Sequence, residues 1–282
     1  RDDTAIVTGK ISGENHPFVK HYIFLRDLVK DKENIEARLT IPAPAQFYAE
    51  LVREDKHVEA LLKVYPDFKG LEDDIVNAYK TVINDLYKEG LRTLQIDDCT
   101  WGCLVDDNFI ESFIEKSDRD KEVIRREFAE KFLNINNRVF QDNQEDLVIN
   151  THVCRGNYDS TWFGQGGYDD KVANELFGKE DVNAYYLEFD TERAGTFESL
   201  AKVSGDKKVV LGLITSKNPT LEEKETVISR IKEASKYIPL DRLYLSPQCG
   251  FASTEEGNRL TEEEQWAKLR FIKEIADEVW GN

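Results

Sequence analysis

Four residues in this chain have the types and placement to hold a metal ion: His152, Cys154, Glu188 and Cys249. The first two lie in Val148-Ile149-Asn150-Thr151-His152-Val153-Cys154, a β-rich run that ends in the polar loop Arg155-Gly156-Asn157. Strand side chains alternate between faces, so His152 and Cys154, two apart, share one. Alone, such a pair is ordinary packing of a buried histidine near a buried cysteine. Glu188 ends a second strand-like run, Tyr185-Tyr186-Leu187-Glu188, and Cys249 follows a third, Arg242-Leu243-Tyr244-Leu245-Ser246. One imidazole, one carboxylate and two thiolates suit zinc, a borderline-soft ion that takes four ligands tetrahedrally. No Cys-x-x-Cys knuckle occurs, which argues against a structural zinc finger. A site gathered from distant strands is of the catalytic kind. There zinc lowers the pKa of a substrate thiol and makes it a nucleophile near pH 7.

Other groups carry weaker signals. Asp97 and Asp98 end the strand-like run Thr93-Leu94-Gln95-Ile96-Asp97-Asp98. Alternation turns one of them inward, and Asp97, on the face of Gln95, is expected to be that one. It either holds a substrate ammonium or hydrogen-bonds at a helix start. Cys99 and Cys103 form a Cys-x₃-Cys loop with no partner pair and read as packing. His16, His21 and His57 lie in polar segments and read as surface residues.

The elements that must position these groups alternate between strand and helix. Candidate strands are Ala5–Ile11, Arg38–Pro42, Thr93–Asp98, Leu147–Cys154, Asn183–Asp190, Lys208–Ile214 and Arg242–Ser246, seven in all. Helices are expected over Phe18–Val29, Leu71–Glu89 (closed by Gly90) and Asp120–Phe140. A helix running to Ile238 is expected to start at a Thr220/Glu223 capping box, and a last helix at Thr261/Glu264. Trp266, Leu269, Ile272, Ile275 and Val279 are expected on the inner face of that last helix. The pattern implies a parallel sheet covered by helices. An eight-stranded (β/α) TIM barrel leads, with a doubly wound open sheet as the alternative. A barrel needs one more strand than these seven, so residues 1–282 are expected to be a single barrel domain lacking N-terminal barrel strand(s). Gly164-Gln165-Gly166-Gly167 lacks the Rossmann order and reads as loop.

Composition bounds the partners. The net charge of −17 disfavours nucleic acid and anionic membrane surfaces. No apolar run approaches a membrane span and no secretory leader is visible. Four cysteines in 282 residues fit reduced thiols in a cytoplasmic protein better than a disulfide scaffold. The chain contains no methionine and begins at Arg1, which suggests that residues are missing from it.

His152-Val153-Cys154-Arg155-Gly156-Asn157, Tyr186-Leu187-Glu188-Phe189-Asp190 and Ser246-Pro247-Gln248-Cys249-Gly250-Phe251 resemble the zinc-site motifs of the cobalamin-independent methionine synthase family. Gln95-Ile96-Asp97-Asp98 is similar to that family's Gln-Ile-Asp-Glu strand. The likeness runs from Gly9-Lys10-Ile11 to the last helix and points to the short, single-barrel paralogues of the catalytic domain. It implies a TIM barrel with one zinc held by His152, Cys154, Glu188 and Cys249. The zinc activates homocysteine, which a methyl donor converts to methionine. It also implies that Asp97 contacts the homocysteine amino group. The family's general-acid histidine is replaced near Lys217, which is expected to fill that place. Its folate-stacking tryptophan has no counterpart, and Phe47 or Tyr48 stands in that stretch for donor binding. The donor is therefore open, methyl-tetrahydrofolate or another. Two other functions fit the same residues: a zinc-dependent thioether-cleaving enzyme and a non-catalytic zinc or thiol-binding protein.

Overall fold

The computed structural model describes residues 6–114 and 119–281. In chain order the elements are α1 (Pro17–Val29), β1 (Leu39–Pro42), α2 (Pro44–Leu51), α3 (Asp55–Leu62), α4 (Phe68–Lys88), β2 (Thr93–Asp98), α5 (Thr100–Val105), α6 (Asp107–Ile114), α7 (Lys121–Phe140), β3 (Val148–Val153), α8 (Asp169–Lys179), β4 (Ala184–Glu188), β5 (Lys208–Ile214), α9 (Lys224–Ala234), β6 (Leu243–Pro247) and α10 (Glu262–Trp280). They fall into two compact units. One comprises the chain up to Asp98 together with Lys131–Asn150; the other comprises Cys99–Glu130 and the chain from Thr151 onward.

In the first unit the strand order is β1, β2 and the start of β3. β1 and β2 are parallel, with Leu39 opposite Leu94 and Pro42 opposite Asp97. Helix α4 covers its core with Leu71, Ile75, Val82 and Leu86, all buried at helical spacing. Asp67 caps it by accepting from the Gly70 amide at 2.7 Å. Gly90, at φ 105°, lets the chain leave the helix in the left-handed region.

In the second unit the end of β3 is followed by β4, β5 and β6 in order. β4 and β5 are parallel, as are β5 and β6, and Gly212 is opposite both Glu188 and Ser246. Parallel strands share one carboxyl end, so this register brings Glu188 and the Pro247-Gln248-Cys249 turn to the same edge. β5 is buried from Val209 to Ile214, as its unbroken apolar run requires. Tyr168, Phe177 and Tyr185 stack edge to face between α8 and β4. The Thr261/Glu264 capping box of α10 is present in both directions.

Several expectations need correction. The run Ile6–Ile11 forms no strand, so the described residues hold six strands, not seven; Ala5 lies outside them. The Ile11 amide is satisfied by the Tyr65 hydroxyl at 2.8 Å instead of a neighbouring strand. Thr220 and Glu223 do not box α9, which starts at Lys224. The intervening Glu222 binds the Thr215 amide and Lys268, which holds that stretch in an irregular path. The helix ends at Ala234, short of Ile238. Trp266 is exposed, its indole N–H donating to Glu262, while Lys268 and Ile275 are the buried residues of α10. His57 is 2 % exposed, not a surface residue, because the short amphipathic helix α3 turns it inward beside Leu61.

Candidate metal centre

Every residue of the candidate centre belongs to the second unit. The ligand atoms of His152, Cys154 and Cys249 lie within 4.8 Å of one another. β3 delivers His152, Cys154 stands one residue past its end, and the turn after β6 supplies Cys249. The two sulfurs are 4.0 Å apart, too far for a disulfide. Two thiolates at about 2.3 Å from a shared tetrahedral ion would be separated by roughly 3.8 Å, so the donor spacing fits zinc. The neighbouring Cys154 sulfur, and then burial, push the Cys249 thiol well above the ordinary thiol range.

Close backbone approach sets this geometry. A methyl group on Gly102 would lie 2.3 Å from the Cys154 carbonyl oxygen. A methyl group on Gly212 would lie 2.8 Å from both the Leu187 oxygen and the Gln248 Cα. Only glycine lets α5 press on the end of β3, and the β4 and β6 ends close around β5.

Glu188 is completely buried, with Oε1 at 3.8 Å from His152 Nε2. Oε1 accepts from the Arg155 amide at 2.8 Å. Oε2 accepts from Arg193 at 2.7 Å and from the Gln248 side-chain amide at 3.0 Å. Arg193 also grips Asp190 at 2.8 Å and lies over the Trp162 ring. Glu188 is thus beside the three-donor cluster but engaged by three hydrogen-bond donors of the protein.

Gln248 connects the ligands. Its backbone carbonyl accepts from His152 Nε2 at 2.9 Å. A carbonyl can only accept, so in this arrangement Nε2 carries the proton; a metal ion meets Nδ1 or takes that proton's place. The Gln248 Oε1 accepts from the Thr215 hydroxyl at 2.6 Å and the Ser216 amide at 3.3 Å. That leaves Nε2 aimed at Glu188.

Lys217 is buried, and its ammonium donates to the Gly156 carbonyl at 3.0 Å and Asn157 Oδ1 at 2.6 Å. Burial lowers its pKa from the ordinary lysine value, against the opposing pull of Glu188, Cys249 and Cys154. Asn157 also donates to Gly250 O at 2.7 Å and Ser253 Oγ at 2.6 Å, and accepts from Asn258 at 2.9 Å. These bonds tie the loops after β3, β5 and β6 together around the cluster.

The remaining expected site residues belong to the first unit. Asp97 and Gln95 share the half-buried face of β2, whereas Asp98 is fully buried and accepts from Asn136 at 2.8 Å. Tyr48 is buried on α2 near Lys131, and Phe47 tilts against Tyr79. The sequence gives no role to Arg193, Thr215 and Asn258, and places Gln248 and Asn157 in the motifs around the ligands without assigning them one. Gln248 adjoins a ligand and Asn157 closes the motif that holds two of them, whereas Arg193, Thr215 and Asn258 have no spacing that marks them.

The sequence profile of the family described as "Cobalamin-independent synthase, Catalytic domain" matches residues 68–278. The uncharacterized Bacillus subtilis proteins YxjG and YxjH are 40 % and 42 % identical to this chain over 276 residues, which is 97 % of this chain and 69 % of each of theirs. A crystal structure described as a vitamin-B12 independent methionine synthase from Listeria monocytogenes superposes with a TM-score of 0.73 at 34 % identity, covering 98 % of this chain and 73 % of that one.

Proposed function

The chain belongs to the cobalamin-independent methionine synthase family, a family of methyltransferases on an α/β TIM-barrel fold, and on that premise we propose that it methylates a small-molecule thiol, homocysteine, at a zinc site. The observation that carries the proposal is the gathering of His152, Cys154 and Cys249 within 4.8 Å. These three hold the ion, with Glu188 as a fourth, exchangeable ligand. Zinc, when bound, lowers the pKa of a thiol that joins it and keeps the sulfur nucleophilic near neutral pH.

The remaining work falls to the protein. In the reaction the thiol gives up its proton, an S–CH₃ bond forms, and the donor's bond to that methyl group breaks. The donor, methyl-tetrahydrofolate or another, leaves with a proton. Lys217 is the proton source in this reading, supported by the burial that lowers its pKa. In the same reading, the likeness of the Gln95-Ile96-Asp97-Asp98 strand to the family's gives Asp97 the substrate ammonium, and Phe47 or Tyr48 serves the methyl donor. A single barrel domain over 1–282 belongs to the same reading.

The test is calorimetric titration of homocysteine into zinc-loaded protein in buffers of different ionisation enthalpy, followed by incubation with a panel of methyl donors. Release of one proton per thiol bound, and methionine formed with one of the donors, is the expected result. Thiol binding without proton release rules out thiol activation, and no methionine from any donor rules out the transfer.

A further inference from the structure

Gln248 touches both His152 and Glu188 and adjoins Cys249 in sequence. Its side-chain amide has a fixed sense. Oε1 is occupied by the Thr215 hydroxyl and the Ser216 amide, so the N–H end must point to Glu188 Oε2. Arg193 donates to the same oxygen at 2.7 Å with a guanidinium that is itself buried. The other carboxylate oxygen takes the Arg155 amide. A carboxylate so engaged has its charge drawn toward its donors and away from a neighbouring cation, and its rotation is restricted.

We infer that Gln248 is a positioning residue which, with Arg193, weakens Glu188 as a metal ligand and so keeps its place open to exchange with the substrate thiol. The inference rests on the zinc-thiol reading above and deepens it. Three firm ligands and one restrained carboxylate resemble an open catalytic site more than a closed structural one. Gln248 acts through its amide N–H, not through bulk. Removing that donor frees Glu188 to bind the ion more strongly and to compete with the thiol.

The experiment uses cobalt(II)-loaded full chain, wild type beside Gln248→Leu, Gln248→Glu and Thr215→Val, with folding checked by circular dichroism and cobalt stoichiometry. Gln248→Glu keeps shape and backbone carbonyl and, once ionised, offers Glu188 no donor, so it is read on the alkaline side of neutral, where the two carboxyls no longer share a proton; Thr215→Val removes the hydroxyl that fixes the sense of the amide. Homocysteine is titrated while the thiolate-to-cobalt charge-transfer band is followed. Both Gln248 variants are expected to hold cobalt at least as tightly as wild type, yet to need roughly tenfold more thiol for half the spectral change, the scale of one hydrogen bond to a charged group. Thr215→Val is expected to shift in the same direction by a smaller factor. Wild-type response from the variants, or full rescue by Gln248→Glu, overturns the role of the amide. If Gln248→Leu does not fold, Gln248→Glu and Thr215→Val decide alone. A wild-type protein that binds cobalt but shows no thiol-dependent band defeats the thiol-activation reading itself, a different outcome from failure of the Gln248 role.

Discussion

Gly102 lies so close to Cys154 that a single added methyl group would sit 2.3 Å from the Cys154 carbonyl oxygen. The obstacle is backbone, which cannot swing aside as a side chain can. Gly102→Ala is therefore expected to shift the end of β3, cost about 1–3 kcal/mol in urea unfolding, and weaken metal retention against a chelator. Gly9→Ala, where nothing lies within 4 Å, is the control and should stay within about 0.5 kcal/mol of wild type.

Cys249→Ser tests whether the centre is functional or structural. Cys249 is a partly exposed residue in the turn after β6, outside the apolar core. The variant should lose bound zinc, measured by elemental analysis, while keeping a wild-type circular dichroism spectrum and a cooperative melt. An unfolded variant would mark the ion as a structural staple.

Lys217→Met removes two hydrogen bonds and leaves Gly156 O and Asn157 Oδ1 without their ammonium donor. The loss should cost about 1–3 kcal/mol, read from the urea midpoint. Proteolytic nicking should rise in the loops that Asn157 ties, residues 156–163 and 250–260.

Asn136 lies between two partners in the first unit, donating to Asp98 and accepting from the Ala45 amide at 3.0 Å. Asn136→Asp keeps the acceptor but sets a second carboxyl against the buried Asp98. One proton will then be held in the native state above the ordinary carboxyl range near 4. The native state binds more protons than the unfolded state in that window, so stability falls as pH rises through the raised value. Urea unfolding should show a larger deficit against wild type at pH 7.5 than at pH 5; equal deficits would mean that the two carboxyls do not share a proton.

The strands that carry the centre were legible because their signals are local. Val209 to Ile214 is an unbroken apolar run, and His152 and Cys154 share a face by simple alternation. What the sequence hid was contact across long separations. Gln248 reaches Glu188 across 60 residues, and Asn258 reaches Asn157 across 101. Such side chains have no period. The short helices α2, α3, α5 and α6 were missed because segments of six to eight residues show too few turns for a helical repeat to emerge. The Thr220/Glu223 box failed for a related reason. The motif was there, but Glu222 was already committed to Thr215 and Lys268.

The 4.0 Å gap between Cys154 and Cys249 also has a consequence for redox chemistry. A bound cation keeps the two sulfurs apart as ligands. Once it is stripped away, an oxidant that takes two electrons and two protons from the pair can join them, since a disulfide needs only about 2 Å of closure between sulfurs already face to face. Metal loss in air would then be a trap instead of a reversible step. Protein stripped under oxygen should take up zinc again only after treatment with a reductant, whereas protein stripped anaerobically should reload at once.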